Sequence, residues 1–313
     1  MIVAENFFKE IDEVNKVLLG LELDILSFDR ARVGRSNRNY ILTLQGGDKL
    51  ILRIMANRSF WNAEQYALET LKGVLPVPHI LKAGELNSNC YWLLLTHLAG
   101  SNLRDVIAFC PESLFFEAGQ MLSMIHSRLF PNYGKWDTES FIEFDSPWTS
   151  FLRSLLDREV AFLSEHNLLS AKLFDKIYEV FEELKDLACF VREPRLIHRD
   201  FKPENILVTR INEKWQITGI LDFEHAQIGE AVWDFARVFD RFFLPAPRSE
   251  SYFLAGYTSI RPLPSLDEAR VICQLVDSLG CIRWGYENAD WSFVAEHEVI
   301  LNQLINKYIK LSC

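Results

Sequence analysis

The chain has 313 residues, 49% of them hydrophobic and 24% charged, enough for a real core and, by length, about two domains. Nothing in this composition points to a collagen-like, disordered or coiled-coil chain. The formal net charge of −10 argues against a nucleic-acid backbone or an anionic membrane surface as main partner, and no stretch approaches the roughly 20 apolar residues of a membrane span.

The N-terminal stretch MIVAENFFKEIDEV carries acids where a signal peptide needs bases. The six cysteines are scattered without a CxxC pair, the pattern of small buried thiols in a reducing compartment. A cytoplasmic enzyme is the expectation. Apolar residues at Phe8, Ile11, Val14, Val17 and Leu18 predict a helix over 7–19. Two β-like runs follow, Asn39–Leu44 and Lys49–Ile54, joined by the turn residues Gln45-Gly46-Gly47-Asp48. A helix over 61–71 is broken by Pro76-Val77-Pro78, and a second hairpin spans 80–98 with Asn87-Ser88-Asn89 at its turn.

Beyond Gly100 helical patterns dominate, over 111–129, 148–166, 169–190 and, in pieces, 266–309. A single β island, Asn205 to Phe223, interrupts them. A β-rich segment of about a hundred residues, a common domain size, thus precedes a larger helical one. The boundaries expected are a nucleotide-binding lobe over 1–97 and a helical catalytic and substrate lobe over 98–313.

The strongest chemical signal is His198-Arg199-Asp200-Phe201-Lys202-Pro203-Glu204-Asn205, followed by Gly219-Ile220-Leu221-Asp222-Phe223-Glu224. Phosphoryl transfer needs an acid to orient a hydroxyl and take its proton, oxygen ligands for Mg²⁺, and cations on the phosphates. Asp200 and Asn205 lie five apart on one loop, and a hairpin of 206–209 with 215–221 would return Asp222 beside Asn205. One isolated Asp in a loop is usually a turn former; three groups in this order, bracketing a hairpin, are not explained that way.

This segment resembles the catalytic loop and metal-binding segment shared by protein kinases and aminoglycoside phosphotransferases. The resemblance implies an α+β, bilobal protein-kinase-like fold, with an N-terminal antiparallel sheet lobe and a larger helical lobe. It assigns the base role to Asp200 and metal ligation to Asn205 and Asp222, the three converging around one magnesium–triphosphate. Protein kinases follow their metal Asp with Phe-Gly and a long activation segment, whereas this chain has Asp222-Phe223-Glu224-His225-Ala226 and then Asp234-Phe235-Ala236. That leaves no room to dock a peptide and fits the antibiotic and small-metabolite kinases.

Further positions match the same family. Gly34 and Ser36, ahead of the first strand, suit a phosphate-covering loop. Arg53 stands where the family has a strand lysine for the α/β-phosphates, and Glu64 matches its partner acid. Arginine for lysine is a departure, because the two cations are not equivalent. The run Leu93–Gly100 resembles the hinge, so main-chain groups near Thr96 and Leu98 are expected to hold the base of ATP or GTP. Lys202, two residues after Asp200, is placed to reach the γ-phosphate. Asp234 reads as a buried acceptor for catalytic-loop amides, His126 as a packed histidine, and 238–243 as aromatic core.

The reaction expected is direct in-line transfer from a nucleotide triphosphate with Mg²⁺ to a small hydroxyl-bearing substrate. An aminoglycoside or related antibiotic is the first acceptor considered, which would make the chain an antibiotic-resistance kinase. Choline, homoserine, ketosamine and macrolide types are alternatives. Candidate acceptor contacts are Glu224, Glu230, Asp240 and Glu287. A nucleotide-binding pseudokinase is the reading from another class; Arg53 alone favours it, since Asp200, Asn205 and Asp222 are all present.

Overall fold

A computed structural model of the protein describes residues 2–31, 37–144, 146–188 and 190–309. Helix α1 (Ile2–Leu19) and strands β1 (Ile25–Arg30), β2 (Arg38–Leu44) and β3 (Lys49–Met55) lead to α2 (Arg58–Leu71), β4 (Ile80–Asn87) and β5 (Cys90–Thr96). The short β6 (Ser101–Asn102) and α3 (Leu103–Val106) precede α4 (Glu112–Ile125), β7 (Tyr133–Trp136) and β8 (Phe141–Phe144). Then come α5 (Trp148–Glu165), α6 (Ala171–Lys185) and β9 (Arg195–Ile197). A 3-10 turn, Pro203–Asn205, opens the hairpin β10 (Ile206–Ile211) and β11 (Lys214–Ile220). After β12 (Gln227–Gly229) come α7 (Val232–Val238), a π-helical turn (Phe239–Phe243), α8 (Ser249–Thr258), α9 (Glu268–Glu287) and α10 (Trp291–Ile309).

The chain forms two compact units. The first comprises Met1–Cys110, Lys135–Ile142 and Glu204–Ala226, the second Pro111–Gly134, Glu143–Pro203 and Gln227–Cys313. Mixed α/β architecture, with an antiparallel sheet early and helices late, is what the sequence pattern implied.

In the first unit five antiparallel strands run in the order β1-β2-β3-β5-β4. Side chains alternate across a strand, so Tyr40 and Leu42 share a face with Leu52 and Ile54. Val14, Val17 and Leu21 of α1 and the turn after it cover that face, and Cys90 and Leu94 complete the cluster. Each such side chain, fully withdrawn from water, contributes about 1.5–3 kcal/mol. The intervening position, Arg53, is sent to the opposite face, where α2 buries Ala63, Glu64, Ala67, Leu68 and Leu71. Helix α2 begins earlier than the apolar period suggests, because the Asn57 side chain accepts the Phe60 amide at 3.2 Å as its N-cap. Strand β1 was not anticipated: its exposure pattern leaves most of it in water, so no apolar alternation marks it.

Strands β11, β10 and β6 make a second antiparallel sheet in this unit, with Leu207 opposite Asn102. Gly100, at φ 151°, carries the chain into β6, and a Cβ there would lie 2.9 Å from the Val208 carbonyl oxygen, so glycine is required.

In the second unit α5, α6, α9 and α10 share one core, with Leu152, Leu156, Ile177, Phe181, Ile272, Leu275, Leu279 and Leu301 in it. Helix α9 is buried on most sides, as its residues from Val271 to Leu279 are without interruption, the polar Gln274, Asp277 and Ser278 included. Helices α4 and α8 touch backbone to backbone through Gly119 and Gly256. Helix α8 was read as part of no helix, because its apolar residues lack a helical period. Strand β12 pairs with β9 and, at Ile228, with Gly134 of β7. Cys90, Cys110, Cys273 and Cys281 are buried cysteines. Among the described residues no helix is long and apolar enough to cross a membrane.

Candidate active site

Within the first unit, the hairpin returns Asp222 to Asn205 as its spacing implied. Ile206 pairs with Ile220, and the Leu221 amide donates to the Asn205 carbonyl at 2.9 Å. The end of β11 is fixed from a second side: the Ile220 amide donates to the Pro76 carbonyl at 2.8 Å. The proline pair that breaks the chain after α2 therefore helps to hold the strand end that presents Asp222. Asp222 adopts φ 71°, a left-handed conformation that costs of order 1–3 kcal/mol and persists where surrounding structure enforces it.

Arg53 donates to Glu64 through Nη1 and to Asp222 through Nη2. Arg53 and Glu64 are both buried, while the Asp222 side chain keeps 25% of its surface. Burial disfavours the Arg53 charge, but Glu64, Asp222 and Glu224 hold it well above the ordinary arginine range. Burial pushes the Glu64 carboxyl up to about 7 against the pull of Arg53. Glu224 is buried and accepts from the Asn37 side chain, and His225 lies 3.5 Å from its other oxygen. Asn37 had no sequence signal, since its partner is 187 residues away. Gly34 and Ser36 lie outside the described residues.

The segment expected to hold the nucleotide base is fixed in the same unit. The Thr96 amide donates to the His79 carbonyl at 3.0 Å, and its hydroxyl accepts the His79 amide at 2.9 Å. Leu98 packs over Gly219, and Thr218 donates to the Ala99 carbonyl at 2.7 Å.

In the second unit the loop that carries His198, Arg199 and Asp200 is held by Asp234, fully buried on α7. Asp234 accepts the His198 amide at 2.8 Å and the Arg199 amide at 2.6 Å. The same carboxylate meets His126 Nε2 at 2.9 Å, and His126 Nδ1 meets the Tyr257 hydroxyl at 2.9 Å. Arg261 donates to that hydroxyl at 2.6 Å, so the hydroxyl is left to donate to Nδ1 and Nε2–H to donate to Asp234. His126 is therefore the neutral Nε2–H tautomer, in keeping with the depression of its pKa by burial. Burial opposes the Asp234 charge, but the hydrogen bonds from His126 and the His198 amide hold its pKa below the usual carboxylate range.

Asp200 is buried, its Oδ2 2.6 Å from Lys202 Nζ and its Oδ1 3.8 Å from Arg237 Nε. Arg199 stands at φ 67°, its guanidinium 3.6 Å from the Trp233 ring centre. Asp277 of α9 faces Arg237 at 3.1 Å and Arg199 at 3.5 Å. The sequence reading missed Arg237 and Asp277. Arg237 is three residues beyond Asp234 on α7, a same-face spacing that could have drawn attention to it; Asp277 offers no local signal.

The four acids considered for the acceptor each engage partners within their own unit. Glu224 belongs to the first unit, in the Arg53 network. Glu230 is buried and takes the Tyr133 hydroxyl and the Arg192 amide, clamping the loop at 191–193, with its pKa raised by burial. Asp240, on the π-helical turn, accepts from Gln274 at 2.7 Å, and burial pushes its carboxyl up to about 6. Glu287 is exposed and paired with Arg283 at 3.0 Å.

The profile of the APH phosphotransferase enzyme family matches residues 28–268. The chain belongs to that family. Membership makes it a phosphotransferase, a small-molecule kinase, and the APH fold recurs among solved structures. Aminoglycoside phosphotransferase APH(4)-Ia superposes with a TM-score of 0.70 at 18% identity, over 95% of this chain and 98% of that one. The GDP complex of aminoglycoside 2'-phosphotransferase-IIIa gives a TM-score of 0.71 at 19% identity, over 95% and 99%. The GDP and kanamycin complex of APH(2")-IIia gives 0.68 at 19%, over 91% and 95%. No curated protein matches the sequence. For this APH-family chain, identities of that size carry the fold and not the acceptor.

Proposed function

We propose that this enzyme transfers the γ-phosphoryl group of ATP or GTP to a hydroxyl of a small molecule, an aminoglycoside or related antibiotic being the first acceptor to test. The observation that carries the reading is the double engagement of Arg53 by Glu64 and Asp222, with Asp222 held beside Asn205. A fixed guanidinium on a partly exposed carboxylate, with Asn205 next to it across the hairpin, suits a metal–triphosphate. Both nucleotide types are represented among the structural neighbours, whose complexes carry ADP with hygromycin B or GDP with kanamycin.

Asn205 and Asp222 would hold Mg²⁺. Two protein oxygens suit an ion that takes its remaining ligands from phosphates and water. When bound, Mg²⁺ would neutralise charge on the β- and γ-phosphates. Arg53 supplies the fixed positive charge for the α/β-phosphates, and Gly34 and Ser36 would cover them. Main-chain groups near Thr96 and Leu98 would hold the base. Asp200 would orient the acceptor hydroxyl and take its proton, with Lys202 moving from Asp200 toward the γ-phosphate. Of the acceptor acids, Asp240 fits best: it is partly open, and a π-helical turn often marks a functional position. Because the transition state is largely dissociative, positioning and electrostatics carry the catalysis.

The test is a panel of aminoglycosides, choline and homoserine with MgATP and MgGTP, with the product read by mass spectrometry. Asp200→Ala should lose about 10²–10⁴ in turnover and keep its thermal shift with MgATP. Asp222→Ala should lose that shift. An Asp200→Ala enzyme with wild-type turnover rejects the assignment.

A further inference from the structure

We infer that Arg237, anchored by Asp277 of α9, is a positioning residue for Asp200, fixing its carboxylate from the side opposite Lys202. The inference rests on Asp200 being the base, and the two can fail separately.

The two oxygens of Asp200 face different cations. Oδ2 is 2.6 Å from Lys202 Nζ and Oδ1 is 3.8 Å from Arg237 Nε. Lys202 sits on a flexible stem and is needed elsewhere if it follows the γ-phosphate. Arg237 cannot leave: its side chain is 13% exposed, its Nε is 3.1 Å from Asp277 Oδ2, and its Nη2 donates to Cys281 Sγ at 3.0 Å. Asp277 also meets Arg199, the residue before Asp200, at 3.5 Å. One carboxylate on α9 thus meets both the cation beside the base and the side chain of the residue that precedes the base. Burial works against the Arg237 charge, and Asp277, Cys281 and Asp200 more than offset it.

A base buried as Asp200 is must remain ionised to take a proton, and burial favours the protonated form. A fixed cation in contact opposes burial and also aims the oxygen. Among the described residues the charged and titratable groups around this pair include Lys202 and His198 on the loop, Arg199, Asp277 and Cys281 of α9, and Asp240 and His297 near Arg237. A purely structural role for Arg237, neutralising Asp277 inside the helical core, would leave the proton affinity of Asp200 unchanged.

The experiment is the pH profile of kcat/KM for Arg237→Met, Arg237→Lys and the wild type, using the best acceptor of the panel. For Arg237→Met the acid limb should move to higher pH by about one unit, with kcat reduced at least tenfold and the KM for MgATP within twofold. Arg237→Lys should return the limb to its wild-type position. Should Arg237→Met fail to fold, Arg237→Met with Asp277→Asn removes the cation together with its partner, and a smaller shift of the same sign is expected. An acid limb that stays in place in the folded variant overturns the inference while Asp200→Ala remains inactive. An active Asp200→Ala enzyme overturns the parent reading instead.

Discussion

Arg53 of β3 and Asp222 at the end of β11 are hydrogen-bonded although 169 residues separate them. The same guanidinium holds Glu64 of α2, so one cation joins sheet, helix and metal-ligand candidate. Removing it leaves Glu64, Asp222 and Glu224 facing one another.

Arg53→Ala should therefore destabilise the protein by about 3 kcal/mol, since breaking a buried pair strands its partner charge. The double variant Arg53→Ala with Glu64→Ala should be less destabilised than the single one, and urea unfolding of the cycle measures this. Arg53→Lys should fold but bind MgATP more weakly, because a single ammonium cannot fork to two carboxylates as the guanidinium does.

Gly119 and Gly256 let α4 and α8 meet. A Cβ at Gly256 would lie 1.9 Å from the Phe116 carbonyl oxygen, and one at Gly119 would lie 2.0 Å from that of Phe253. Backbone atoms cannot turn aside, so Gly256→Ala should cost about 3 kcal/mol by overpacking. Gly280→Ala is the control: it lies within α9 with nothing in reach of the added Cβ and should stabilise by about 0.5–1 kcal/mol through helix propensity. Thermal melts of the two variants should move in opposite directions.

Buried His297 lies 3.3 Å from Arg241, and burial, with Arg237 and Arg241, lowers its pKa to about 2. Its neutral form is favoured in the folded state, so its contribution to stability is complete above the unfolded pKa of about 6.5 and is lost as pH falls below that. The slope is about 1.4 kcal/mol per pH unit for one such group. Glu64, raised to about 7, acts in the opposite sense between its unfolded pKa and that value. The difference between wild type and His297→Gln isolates the histidine: the wild type should lose stability faster from pH 6.5 to 5, measured by urea unfolding.

Asp240, with its carboxyl near 6, gains its negative charge only as pH rises through that value. If it meets an amino group of the acceptor, the acceptor KM should rise as pH falls from 7 to 5. Asp240→Asn should raise KM at pH 7.5 and flatten this dependence, with KM for MgATP unchanged.

The sequence by itself determined the local parts. The turn at 45–48, the helices over 148–165 and 171–185, and the hairpin that sets Asp222 beside Asn205 all follow from residues near in the chain, where periodicity and turn chemistry act. The motif around Asp200 and the Asp234 acceptor were legible through the family resemblance, since the amides that Asp234 accepts lie 35 and 36 residues away. Strand β1 and helix α8 were not, because neither has a one-sided apolar face. Only the tertiary structure decided that the Pro76 carbonyl holds Ile220, that Asn37 caps Glu224, and that Asp277 of α9 reaches Arg199 and Arg237. Those contacts join groups tens to hundreds of residues apart, and no local energy term selects their partners: the packing of strands and helices brings a buried charge to the one group able to satisfy it.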